Sequence, residues 1–156
     1  MPRPRPMLTL MEGTLNALQR FNDRVGRTPE RTPSQQLGMD GERAAYFFLR
    51  RLGFTVVARR WRHALLKGEV DLIAWEGETL VFVEVKTRSS KTAFAAEFRV
   101  DEDKAEALHR MADAYVRQLP WRPGQTPDVL LRFDVVSVYL EPGSRPDIQL
   151  LRDFMR

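Results

Sequence analysis

The chain has 156 residues, 43% apolar and 29% charged, which is enough apolar material for one packed domain and too much for wholesale disorder. Twenty-five Lys and Arg against 21 Asp and Glu leave a net charge of +4, so the position of the basic residues matters more than their sum. The absence of cysteine excludes disulfide scaffolds, thiolate zinc sites and cysteine nucleophiles, and no apolar run approaches the roughly 18 residues needed to span a bilayer; the expectation is a cytoplasmic protein without a membrane partner.

Residues 1–33 are rich in Pro, Arg and Thr and read as a flexible extension with one short helical piece, Leu8 to Phe21. Glu12 interrupts the apolar stretch too early for a secretory signal. Leu37, Ala44, Ala45, Phe48 and Leu52 then recur at three- and four-residue steps, predicting a helix over about 34–52 that stops at Gly53. Gly38 and Gly41 inside it imply an irregular first turn or a close approach by another element.

The β-branched and aromatic run Phe54 to Arg62 predicts a first strand, followed by a loop over 63–68. Glu69 to Trp75 and Thr79 to Lys86, joined by Glu76-Gly77-Glu78, predict a hairpin. Residues 89–100 form a long polar and aromatic connection, and Asp101 is placed to cap a helix over about 102–119 with Ala105, Leu108, Ala112, Tyr115, Val116 and Leu119 on one side. The alternating run Leu131 to Leu140 is a further strand, and a weaker piece lies around Ile148 to Leu151.

Charged residues are costly in an apolar strand, so Glu84 and Lys86 within Leu80-Val-Phe-Val-Glu-Val-Lys86 require an explanation. Two-residue spacing puts both on one face with Leu80 and Phe82, leaving Val81, Val83 and Val85 on the other to pack against a second layer. On the partner strand the same alternation puts Val70, Leu72 and Ala74 on one side and Glu69, Asp71, Ile73 and Trp75 on the other. A two-residue loop at Glu76-Gly77 sets Asp71 opposite Phe82, and a four-residue loop sets it opposite Glu84; a three-residue loop without a bulge would turn it to the other face. The favourable registers also collect the valines on one side.

Two carboxylates and an ammonium on one sheet face admit a bland reading, a salt-bridged and partly solvated sheet edge. Their apolar neighbours favour a functional one. Oxygen ligands without Cys or His suit a hard cation such as Mg²⁺, and the chemistry implied is metal-assisted phosphodiester hydrolysis. In that scheme Lys86 orients or deprotonates the attacking water, or offsets charge on the phosphate.

Gly41-Glu42, Gly68-Glu69-Val70-Asp71-Leu72-Ile73-Ala74, Val81 to Arg88, Lys104 and Arg132-Phe133-Asp134-Val135-Val136 together resemble the YraN-like family of uncharacterised bacterial proteins. That family is similar to the PD-(D/E)xK nuclease superfamily, which includes archaeal Holliday-junction resolvases. The resemblance covers about residues 36–140. It implies an α/β, restriction-endonuclease-like αβββαβ core, a mixed sheet flanked by helices, with 34–156 as the nuclease-like domain. It further implies that Asp71 and Glu84 are the metal-binding acids, Lys86 the catalytic lysine and Glu42 a helix acid joining the metal site. Lys104 would touch phosphate, with a plain helix-surface lysine as the alternative. The chain departs from its relatives at Phe94-Ala95, where a Phe-Gly pair is usual, and has Val70 where nucleases of the wider superfamily carry proline.

Between Glu42 and Glu69 lie seven basic residues, Arg43, Arg50, Arg51, Arg59, Arg60, Arg62 and Lys67, and no acid. Such a block attracts phosphate backbones. Arg59, Arg60, Arg62, Lys67, Arg88 and Lys104 are the candidate nucleic-acid contacts. Trp61 could stack on an unpaired base, or be a core or edge tryptophan; Phe47-Phe48 reads more simply as core packing. The expectation is an endonuclease using Mg²⁺ or Mn²⁺ whose partner is DNA before structured RNA, with branched or structured DNA one of the substrate forms open to it. Symmetrical cutting of two strands would favour a homodimer. The rival is a nucleic-acid-binding or scaffold protein that keeps the fold without cleaving, and a third reading is a protein-interaction module with a salt-bridged sheet.

Overall fold

The computed structural model describes residues 31–89, 102–120 and 128–154. The extension read from the sequence lies outside the described residues up to position 30, as do Asp101 and most of the connection containing Phe94-Ala95.

Helix α1 spans Pro33–Arg51. Thr32 caps it: its side chain accepts a hydrogen bond from the Gln35 backbone N–H while the Gln35 side chain accepts from the Thr32 N–H, a reciprocal capping box reinforced by Pro33 in the first turn. Strands β1 (Thr55–Trp61), β2 (Val70–Glu76) and β3 (Thr79–Arg88) follow, then α2 (Glu102–Gln118), β4 (Leu130–Tyr139) and β5 (Asp147–Leu151). The five strands form one sheet in the order β1-β2-β3-β4-β5. All neighbours are antiparallel except β3 and β4, whose parallel pairing requires the crossover that α2 supplies.

Each helix covers one face. Ala45 and Leu49 of α1 pack on Leu72, Ala74, Val81, Val83, Val136 and Val138, and Met111, Ala112 and Val116 of α2 pack on Ile73, Leu80, Phe82 and Phe133. The period-two expectation for β3 therefore holds: its valines meet α1, while Leu80 and Phe82 meet α2. Val70 does not join Leu72 and Ala74 as the alternation predicts; it belongs to the α2-side core with Trp61, its partner across β1 and β2. Between the paired Arg59–Leu72 and Trp61–Val70, Arg60 has φ 48°, a left-handed conformation that breaks the alternation of faces along β1.

Of the two favourable registers read from the sequence, the hairpin adopts the one that sets Asp71 opposite Glu84. Glu76 pairs with Thr79, so Gly77 and Glu78 form the turn, with Gly77 at φ 59° where hairpin turns of this length need a residue without a Cβ. Leu72 pairs with Val83, and the same register puts Asp71 level with Glu84. Trp61 is partly buried against the α2-side core, edge-on to Tyr115 at 5.3 Å, in keeping with the core-or-edge reading of it. Phe47, read as core, is 51% exposed.

Candidate metal centre and nucleic-acid face

The site forms where β2 parts from β3. Pairing between them ends at Leu72 and Val83, yet β3 continues beside β4 as far as Arg88 and Tyr139. Beyond the fork the Val85 N–H is satisfied by a side chain: it donates to Asp71 Oδ2 at 2.7 Å. Asp71 thus sits in the opening between strands, where acids from both sides of the sheet reach it.

From the α1 side comes Glu42. Its position depends on the residue before it, since a Cβ at Gly41 would lie 1.8 Å from Thr87 Oγ1 and 2.7 Å from Thr87 Cβ. Gly41 is therefore the close approach anticipated from the sequence, whereas Gly38 faces open space. Glu69, immediately before β2, is the third acid. Glu42, Glu69 and Asp71 each present an oxygen within 4.8 Å of the other two. Glu69 was missed as a site residue from the sequence, although its parity with Asp71 was visible there.

These acids differ in charge state. Burial pushes the Asp71 carboxyl up to about 7; the Val85 N–H opposes the shift, and the negative charges of Glu84, Glu42 and Glu69 add to it. Burial also raises Glu42, against the pull of Arg60. Glu69 is pushed up by burial but ends below its ordinary value because Arg60 Nε (2.9 Å) and Arg62 Nε (2.6 Å) donate to its two oxygens. Arg60 also reaches Glu42 Oε2 at 3.9 Å.

Glu84 projects on the α2 side, where one oxygen accepts from both Lys86 Nζ (2.8 Å) and Lys104 Nζ (2.7 Å). Burial pushes Glu84 up, and these two ammonium groups more than offset it, holding the carboxyl below its ordinary value. Of the residues singled out from the sequence, the structure brings Asp71 together with Glu42, and Glu84 together with Lys86 and Lys104. Arg60 and Arg62 turn to Glu69, Arg59 lies over the Tyr46 ring at 5.0 Å, Lys67 is exposed in the loop before β2, and Arg88 ends β3 beside Tyr139.

Three carboxylates, of which the buried Asp71 is the one pushed up to about 7, form a donor set that fits a hard divalent cation: all oxygen, negatively charged and short of compensating charge at Asp71. Beside it, two ammonium groups on one carboxylate leave a net positive charge suited to an anion.

A mixed five-stranded sheet with a helix on each face and a parallel crossover after the third strand is the restriction-endonuclease-like α/β arrangement. Within that class, the chain belongs to the uncharacterised protein family UPF0102, the YraN-like family, whose model matches residues 41–138. It is 41% identical over 133 residues to a UPF0102 protein of Koribacter versatilis, covering 85% of this chain and 88% of that protein. Over 140 residues it is 41% identical to a UPF0102 protein of Solibacter usitatus, 88% and 97% of the two chains, and over 120 residues 40% identical to one of Nocardia farcinica, 76% and 87%. The matched region contains every acid and lysine of the site.

Proposed function

We propose that this protein is a metal-dependent endonuclease that hydrolyses phosphodiester bonds in DNA. The observation that carries the proposal is the meeting of Glu42, Glu69 and Asp71 at the β2–β3 fork, directly beside the Glu84-Lys86-Lys104 group. Glu42, Glu69 and Asp71 would hold Mg²⁺ or Mn²⁺, with Glu84, level with Asp71, available as a further ligand once its lysines turn to substrate. The bound ion supplies a Lewis acid for a phosphodiester and lowers the pKa of water.

The chain's own groups do the rest. Lys86 donates hydrogen bonds that orient the attacking water or offset charge gathering on the phosphate, and Lys104 adds a second cation at the same place. Arg59, Arg60, Arg62, Lys67 and Arg88 would attract the phosphate backbone by their charge. No described helix is long and apolar enough to cross a membrane, and a DNA substrate is in keeping with a cytoplasmic protein.

The test is a nicking assay on plasmid, single-stranded and branched DNA with Mg²⁺ or Mn²⁺, comparing the wild type with Glu84→Gln, Lys86→Ala and Glu69→Gln. Cleavage by the wild type that falls at least about 100-fold in Glu84→Gln and Lys86→Ala is expected, the scale of losing a group that acts on the reacting atoms. Glu69→Gln should require more metal for the same rate. If all four proteins bind DNA alike and none cuts, the protein is a nucleic-acid-binding member of its fold.

A further inference from the structure

Phe47 is 51% exposed on the outer face of α1, and of the four helix positions one turn from it three are arginine: Arg43, Arg50 and Arg51, with Ala44 the fourth. A single exposed phenylalanine needs no explanation. One surrounded by guanidinium groups does, because a basic surface discourages the apolar protein partner that an exposed ring would otherwise suit.

Its surroundings are organised. The Tyr46 ring meets Phe47 edge-on at 5.2 Å. Tyr46 is itself fixed by Arg50, which donates to its hydroxyl at 3.0 Å, and by Arg59, whose guanidinium lies 5.0 Å over its ring. Glu42, one of the three clustered acids, is on the same helix five residues earlier, about 7.5 Å along the axis. Asp40, the acid nearest the helix start, is engaged by the Gln36 side chain. The outer face of α1 thus offers an aromatic ring with cations on both sides, a short step from the clustered acids.

We infer that Phe47 is a stacking platform for an unpaired base of a DNA strand whose phosphates are held by Arg43, Arg50 and Arg51, so that the preferred substrate carries single-stranded DNA next to the bond cut. This rests on the nucleic-acid reading of the site. A duplex would satisfy the arginines and leave the ring without a partner, whereas an unpaired base presents an aromatic face of its own, and alternating cations and rings are what a single strand matches. The face assigned to stacking is therefore on α1, not at Trp61.

Fluorescence anisotropy in EDTA, which separates binding from cleavage, tests this with oligothymidylate of roughly 20 nucleotides and a duplex of the same length. The wild type binds the single strand more tightly; Phe47→Ala weakens that binding by about fivefold or more, the low end for one base–aromatic stack, and changes duplex binding by less than about twofold. Phe47→Trp retains single-strand affinity and Phe47→Leu does not, which distinguishes stacking from mere apolarity. Leu130→Ala, which truncates a 65% exposed apolar residue at the start of β4, leaves both affinities alone.

Equal affinities of Phe47→Ala and wild type for the single strand overturn the inference, as does an equal loss on both probes. A lower sedimentation coefficient for Phe47→Ala with unchanged binding assigns the face to a second copy instead and also overturns it. If the wild type binds neither probe, the nucleic-acid reading falls together with this one. Selective loss in Phe47→Ala without cleavage by the wild type leaves this inference standing and removes only the nuclease.

Discussion

At Asp71 the fold works against the charge it carries. Its carboxyl, ordinarily near 3.8, titrates at about 7 because it is buried and faced by three other acids. A raised folded-state value means that the native protein binds the proton more tightly than the unfolded chain. The resulting stability is fully present below the ordinary value and is lost as the pH rises through about 7. Asp71→Asn fixes the side chain in its neutral form and keeps an oxygen for the Val85 N–H. It should match the wild type near pH 4 and exceed it at pH 8 by on the order of 2–4 kcal/mol in urea unfolding. Mn²⁺ should reverse the order by replacing the proton: the wild type gains stability at pH 8, and Asp71→Asn gains less. Equal pH profiles for the two proteins would show that Asp71 is not held protonated. The left-handed Arg60 adds a second local cost, roughly 1–2 kcal/mol, at the residue whose guanidinium bridges Glu42 and Glu69.

Elements meet at the site with little slack. α1 crosses β3 so closely at Gly41 and Thr87 that no side chain fits between them, and this contact sets where Glu42 stands relative to Asp71. Gly41→Ala places a methyl group inside the Thr87 side chain and should destabilise by about 1–3 kcal/mol, in spite of the better helix propensity of alanine. Thr87→Ala in the same chain removes the two closest atoms but leaves Cβ at 2.7 Å, so it recovers part of the loss rather than all of it. Thermal melts of both variants and the double mutant measure this coupling. Gly38→Ala, with open space around it, should be neutral or stabilising; a loss as large as that at Gly41 would mean that helix propensity, not the contact with Thr87, decides both.

Across the whole molecule, a second ionic network secures the sheet on the α1 face, toward the end where β2 finishes. The fully buried Asp134 carboxylate accepts two hydrogen bonds from Arg132 and one from the Asp153 N–H; Arg132 and Arg152 both donate to Glu76. This ties β2, β4 and the segment after β5 together across the sheet. Removing one member strands a buried charge, so Arg132→Met should cost about 3–5 kcal/mol in urea unfolding. Arg152→Ala removes a half-exposed partner of Glu76, leaves the Asp134 contacts in place, and should cost less than about 1 kcal/mol. A comparable loss from both variants would place the stabilising contact at Glu76 instead of Asp134.

Much of this was legible from residue order alone. The helix ending near Gly53, the hairpin, the sorting of Val81, Val83 and Val85 against Leu80 and Phe82, and the acid and lysine on β3 follow from periodicity and from the cost of burying charge, which are properties of neighbours along the chain. Val70 and Phe47 fall elsewhere than the alternation and the helix pattern put them, because the side of a sheet or helix that is covered depends on backbone conformation at single residues such as Arg60 and on what packs across, neither of which is written locally. The same holds for the acids. Residue order singled out Asp71 and Glu84, and the family resemblance Glu42, but only tertiary structure drew Glu69 into the cluster and engaged Glu84 with Lys86 and Lys104. Charges separated by twenty or more residues meet only once the strands have parted and the helices have docked, and their energies depend on distances in space.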